Sequence, residues 1–133
     1  MTSPVTPGDT PCPCGSDRNF GNCCQPLLQQ ITLPSTAEQL MRSRYTAFVL
    51  GDENYLRYSW HPDSRPRNIH LQADTRWLGL NIKTTTGGQP EDSEGTVEFV
   101  ARYKTGGKAT RLHENSRFVR SEGRWVYLGA QDT

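Results

Sequence analysis

The sequence predicts an α+β fold with a small metal-binding module at its N-terminal end. Three observations predict it. All four cysteines fall in one stretch, as Cys12-Pro13-Cys14 and Cys23-Cys24. A capped, amphipathic helix follows from Ser35. From Trp77 onward the apolar residues alternate with period 2, as strands require. Helices first and a strand meander second put the first helix across a curved antiparallel sheet.

The cysteines read as one site. Adjacent cysteines bridge only with strain in a two-residue ring, because a disulfide demands a particular Cβ approach and dihedral. Four thiolates can instead converge on one tetrahedral ion. Cys12, Cys14, Cys23 and Cys24 are the expected ligands. Zinc is the expected metal, and iron also suits an all-thiolate set. Redox-active thiols are the alternative reading. Pro13 fixes the backbone between the first two ligands, and Gly15 permits a tight turn after them. Arg18 is placed to offset the thiolate charge, and Phe20 to cover one side. A closed four-ligand site folds a module rather than catalysing a reaction.

The elements follow in order. Residues 1–11 read as a disordered lead-in with three prolines. The module covers 12–25. Residues 26–34 form a linker whose Leu27, Leu28, Ile31 and Leu33 are apolar enough to dock the module onto the rest. The second domain spans 35–133. Its first helix opens on a capping box, Ser35 with Glu38, and carries Ala37, Leu40, Met41, Arg44, Tyr45 and Phe48 on one stripe. Gly51 stops it. Asp52 caps a second, short helix with Tyr55, Leu56 and Trp60 on one side, which His61-Pro62 ends. Strands are expected over Trp77–Ile82, around Val97–Tyr103, over Leu112–Arg120 and at Trp125–Leu128. Thr84 to Gly95 reads as a turn-rich connection. Loss of the metal is expected to unfold 12–25 and leave the second domain folded.

Composition narrows the function. The 133 residues carry a net charge of +1, which argues against direct nucleic-acid or membrane binding by field alone. No apolar run is long enough for a signal segment or a membrane span. Metal-bound or reduced thiols without such a signal point to the cytoplasm. Gly87-Gly88 and Gly106-Gly107 are hairpin turns rather than phosphate loops.

Among possible chemical residues, Arg44 lies on the apolar stripe and therefore needs a partner or a solvated cavity. On the third strand Leu112, Glu114, Ser116 and Phe118 share one face. Arg44 and Glu114 are expected to meet between helix and sheet, with Glu98 as a second candidate partner. His61 beside Asp63 reads as a loop residue rather than a general base. His113 faces away from Glu114, and His70 carries no signal. Arg42, Arg44, Arg57, Arg65 and Arg67 read as a solvated mixed-charge face. No catalytic residues are assigned, and the reading leans away from an enzyme.

The residues Cys12-Pro13-Cys14-Gly15-Ser16 with Cys23-Cys24, then Leu40-Met41-Arg42-Ser43-Arg44-Tyr45, Trp77-Leu78-Gly79-Leu80, Glu114-Asn115-Ser116-Arg117-Phe118 and Gly123-Arg124-Trp125, resemble the YchJ family of small bacterial proteins. That resemblance covers about residues 12 to 129. It implies a SEC-C zinc motif followed by a cone-shaped nuclear-transport-factor-2-like (NTF2-like) domain. Asp17 departs from the pattern, where a second glycine is usual. SEC-C motifs are similar to the metal-binding tail of the SecA translocation motor, which contacts a chaperone and ribosomes. The resemblance thus implies a protein or ribosome partner for the knuckle. The alternative it implies is a small-molecule binder or enzyme using the cone cavity, lined by Arg44, Tyr45 and Glu114. A homodimer through an apolar outer sheet face, at Val100 and Val119, is a third reading.

Overall fold

The computed structural model describes residues 8–69 and 71–131. Most of the lead-in (1–7) and His70 lie outside the described residues. A 3₁₀ turn at Phe20–Asn22 and helix α1 (Gln25–Leu28) follow the first cysteines. Helices α2 (Ala37–Leu50) and α3 (Glu53–Tyr58) come next. Four strands complete the chain: β1 (Thr75–Gly87), β2 (Glu94–Thr105), β3 (Lys108–Ser121) and β4 (Arg124–Ala130). They form one antiparallel sheet in the order β1-β2-β3-β4.

Helix α2 starts one residue later than the sequence predicts. Thr36, not Ser35, is the N-cap, and its side chain accepts the Gln39 N–H at 3.1 Å. The Gln39 side chain returns to the Ser35 N–H at 2.7 Å. Glu38 is thereby released to pair with Arg42 at 3.0 Å, one turn on. Gly51 ends the helix at φ 72°, a left-handed angle that costs a glycine nothing. Asp52 caps α3 by accepting the Tyr55 N–H at 3.0 Å, as expected, but the helix ends at Tyr58, and Trp60 lies beyond it in a bridge to Tyr127.

The sheet is longer than expected, and it is curved. Thr84–Gly87, read as part of a connection, continue β1; three successive threonines suit an extended chain. Shifts of register between Trp77 and Gly79, and between Ile82 and Thr84, are bulges that bend this edge strand. The first makes Leu78 the extra residue. Trp77 opposite Tyr103 and Leu80 opposite Ala101 therefore face the helices together, while Leu78 is exposed.

Helix α2 packs across β1, β2 and β4. The β1–β2 turn meets its N-terminus, where the Ala37 N–H donates to the Gly88 carbonyl at 2.9 Å. Gly88 has φ 73°, and a Cβ there would stand 2.7 Å from the Ala37 Cβ. Trp125 fills the core below and donates from Nε1 to the Ser35 carbonyl at 3.2 Å.

The outer sheet face differs from the apolar surface a dimer would use. Val100 is already only 3% exposed, and Val119 is half-buried. Around Val100 lie the Glu98–His113 pair at 2.7 Å and the directly opposed Arg102 and Arg111.

One apolar cluster runs through the chain. It joins Cys12, Cys14, Phe20, Cys24 and Leu27 to Leu40, Ala47 and Leu56 of the helices and to Val97, Phe118 and Trp125 of the sheet. The cysteine segment is part of this core.

Candidate metal centre and cone cavity

Two crossings of the backbone build the cysteine cluster. Cys12 N–H donates to Arg18 O at 2.9 Å, Phe20 N–H to Thr10 O at 2.8 Å and Gly21 N–H to Gly8 O at 2.8 Å. Residues 8–11, expected in the lead-in, are thus one side of a closed loop. At its tip Gly15 and Asp17 take φ of 78° and 69°. Asp17 therefore adopts the left-handed angle that a glycine usually supplies, a geometry aspartate tolerates better than most residues. The 3₁₀ turn then brings Cys23 and Cys24 back, with Cys24 as the N-cap of α1.

The four Sγ atoms all lie within 4.8 Å of one another. None is in a disulfide. Cys14 and Cys23 are 3.6 Å apart, and Cys23 and Cys24 3.9 Å. Four sulfurs held about 2.3 Å from one ion in a tetrahedron stand about 3.8 Å from each other. The cluster therefore fits a four-thiolate metal site.

Polar neighbours complete it. Thr46, on α2, donates to Cys24 Sγ at 3.3 Å and stands 3.8 Å from Cys12 Sγ. Ser16 Oγ is 3.1 Å from Cys23 Sγ. Arg42 donates from Nη1 to the Cys14 carbonyl at 2.8 Å. Burial works against the Arg42 cation, yet Glu38 and the charge of Cys14 hold its pKa above the usual value. Arg18, expected beside the sulfurs, instead turns outward and donates to the Asn22 carbonyl. Arg42, expected on a solvated mixed-charge face, is instead half-buried against the knuckle, and Thr46 escaped the sequence reading because it looks like an ordinary helix residue.

The thiols oppose one another when no cation is present. Hydrogen bonds from Cys12 and then Cys24 hold Cys14 far below the usual thiol range. The same contacts, Cys12 first, push Cys24 far above it. Burial raises Cys23. One thiolate is favoured and further ones are resisted. A divalent cation would remove that resistance.

The second site lies between α2 and the sheet. A cavity of about 660 Å³ is lined by Arg44, Tyr45, Phe48, Trp77, Glu114 and Tyr127 among others. Arg44 and Glu114 both reach it but make no ion pair. Arg44 Nη1 donates to Leu56 O at 3.0 Å and to Ser59 Oγ at 2.7 Å. Its guanidinium packs against the paired rings of Trp60 and Tyr127, 4.7 and 4.5 Å from their centroids, which are 5.2 Å apart. Glu114 Oε2 instead accepts from Tyr127 Oη at 2.8 Å and Ser116 Oγ at 2.5 Å. Glu98 is on the other face, paired with His113. His61 Nδ1 accepts the Asp63 N–H at 3.0 Å, a loop contact. Arg57 pairs with Glu53 at 2.9 Å, which fits the mixed-charge face, but Arg44, expected on the same face, is only 4% exposed and lies in the core.

Comparison with known proteins matches both regions. A family model described as YchJ, middle NTF2-like domain, covers residues 36–130, and one described as the SEC-C motif covers 10–26. A UPF0225 protein of Chromobacterium violaceum is 50% identical over 121 residues, 88% of this chain and 89% of its own length. One from Ralstonia nicotianae is 51% identical over 129 residues, 88% of each. The solution structure of a SEC-C motif-containing protein from Rhodopseudomonas palustris aligns with TM-score 0.81 at 33% identity, over 92% of this chain and 98% of that one. A crystal structure of a SEC-C motif-containing protein from Psychrobacter arcticus aligns with TM-score 0.75 at 26% identity, over 95% and 85%.

Proposed function

The chain belongs to the YchJ family, a SEC-C motif joined to an NTF2-like domain, and from that premise we propose that it is a zinc-braced binding protein whose knuckle docks a protein or ribosomal partner. Cys12, Cys14, Cys23 and Cys24 hold the ion. Four thiolates leave no open coordination position, so the metal braces structure rather than activating a substrate.

The observation that carries the docking role is the apolar rim of the knuckle. Ile31 is 71% exposed and Leu33 52%, although their neighbour Leu27 is in the core. Leu33 also borders a groove with Arg18, Cys23 and Arg42, between the knuckle and the start of α2. An apolar pair beside a rigid, polar-edged groove is what a partner segment can use. Metal-bound thiolates fit a reducing compartment, so we place the protein in the cytoplasm. No helix among the described residues is long and apolar enough to cross a membrane.

Elemental analysis of protein purified without added metal tests the first part. About one zinc per chain, lost in Cys24→Ser, is expected. Iron in its place would change the ion, and no metal would overturn the reading. Affinity purification with the wild type and with an Ile31→Ser/Leu33→Ser double variant tests the second. Equal capture by both would remove the rim from the interface.

A further inference from the structure

The cone cavity contains an unspent cation. Arg44 is 4% exposed. Both protons of its Nη1 are used, by Leu56 O and Ser59 Oγ. No carboxylate of the described residues comes within 4 Å of it. Nε and Nη2, with three N–H donors between them, have no partner among the described residues. Nor are they sealed off, since among the described residues the one fully enclosed unpaired side-chain atom is Asn115 Oδ1. The Trp60 and Tyr127 rings lie 4.7 and 4.5 Å from its Cζ and 5.2 Å from each other, so both stand to one side of the guanidinium. Its free edge therefore opens on the cavity that Arg44 lines.

We propose that this cavity binds a small organic monocarboxylate with an aromatic or branched apolar body, held by a fork of hydrogen bonds from Arg44 Nε and Nη2. A guanidinium edge matches a carboxylate in two parallel N–H···O bonds. Glu114 selects against a dianion. It is the cavity's acidic residue, and only its Oε2 is engaged, by Tyr127 and Ser116. Its Oε1 is left to accept from a hydroxyl or ammonium group of the ligand. Apart from Gln72, Thr75 and Ser116, the remaining wall is largely apolar and aromatic, with Trp77 at 5.0 Å from Tyr103 and 5.6 Å from Phe48, centroid to centroid. About 660 Å³ lies within the range of small-molecule sites. A buried cation with no carboxylate in contact is costly to keep unless something completes it, and Glu114 acts on Arg44 only across the cavity. This inference is independent of the metal knuckle and its partner.

The test uses the full-length, metal-loaded chain with 3-phenyllactate, phenylacetate and indole-3-acetate as probes. Phenylacetamide is the neutral control and phenyl phosphate the dianion. Titration calorimetry is expected to show binding of at least one acid. The amide and the phosphate should bind at least tenfold more weakly. Arg44→Gln should lose at least tenfold, while Glu114→Gln keeps the carboxylate contact and loses the preference for the hydroxy acid. Should Arg44→Gln fail to fold, the Nε–H resonance of Arg44 in the wild type answers instead. It should move with acid and stay fixed with amide. No binding by any acid at 10 mM, or equal binding of acid and amide, would overturn the proposal.

Discussion

Thr46 Oγ1 donates to Cys24 Sγ at 3.3 Å across 22 residues of chain. One hydroxyl in the third turn of α2 thus ties the long helix of the cone to the sulfur cluster. With Cys12, Cys14 and Cys24 all in the common core, the cluster is joined to the fold by bonding and by packing.

Chelation should accordingly weaken the whole chain, in contrast to the local unfolding of 12–25 that the sequence alone suggested. A metal present at about 1,000 times its dissociation constant stabilises by about 4 kcal/mol. For a domain of this size that corresponds to a fall in Tm of roughly 12–20 °C. Near-UV circular dichroism of the three tryptophans, all within residues 35–133, during a melt with chelator checks it. An unchanged tryptophan transition would restore the picture of two independent modules.

Thr46→Val removes the donor and keeps the shape. Metal affinity should fall roughly tenfold or more, as for outer partners of metal ligands. Thr46→Ser should retain most of it. Competition with a coloured chelator measures both. Equal affinities for the valine and serine variants would show that the hydroxyl only packs.

Gly88→Ala and Gly51→Ala share a left-handed backbone but not a setting. Nothing lies within 4 Å of a Cβ at Gly51, whereas one at Gly88 meets Ala37 Cβ at 2.7 Å. Gly51→Ala should cost about 1 kcal/mol, the ordinary strain of that angle. Gly88→Ala adds overpacking and should cost about 2–4 kcal/mol in total. Urea midpoints compare them, and a similar loss for both would mean that the turn moves aside.

Arg111→Glu should raise stability by about 0.2–1 kcal/mol, because Arg102 lies directly opposite and like charges there repel. A thermal melt in low salt reads the effect. A lower Tm would show that the two guanidinium groups are already kept apart.

Alkaline pH should destabilise the fold. Burial raises Tyr45 and Tyr55 to about 12, against about 10 in an unfolded chain. Burial and then Glu114 move Tyr127 the same way. The folded state keeps phenol protons that the unfolded chain releases, so stability complete below pH ~10 is lost towards pH 12. Arg44, lowered to about 10 by burial, acts in the opposite sense. Three tyrosines outweigh it. Urea midpoints from pH 8 to 11.5 should fall, and a rising midpoint would reverse the assignment.

What could be read from the sequence, and what could not, divides along physical lines. The cysteine spacing, Gly51, Asp52 and the alternation through Val97–Tyr103 are local signals and carry through to the structure. The start of α2 was ambiguous because Ser35 with Glu38 and Thr36 with Gln39 both spell a capping box, and only the contacts choose. Bulges leave little trace in composition, so the facing of Trp77 and Leu80 needed the register. Arg44 was recognisable as out of place on an apolar stripe. Its setting against Trp60 and Tyr127, brought together by a single parallel bridge, was not. Residues that act through a neighbour, such as Thr46 on Cys24, have no spacing rule to reveal them.

The continuity of the core also bears on how such a chain could be cut, fused or inherited. A break at Pro34 looks natural on paper, between a cysteine motif and a longer domain. In space it would tear Phe20 and Leu27 from the helix residues they pack with, leaving a raw apolar surface on each fragment. The excised domain should therefore be prone to clump. A lineage that discarded its cysteines would have to refill the space behind Thr46 and Ala47 at the same time, so the two halves are bound to a common fate.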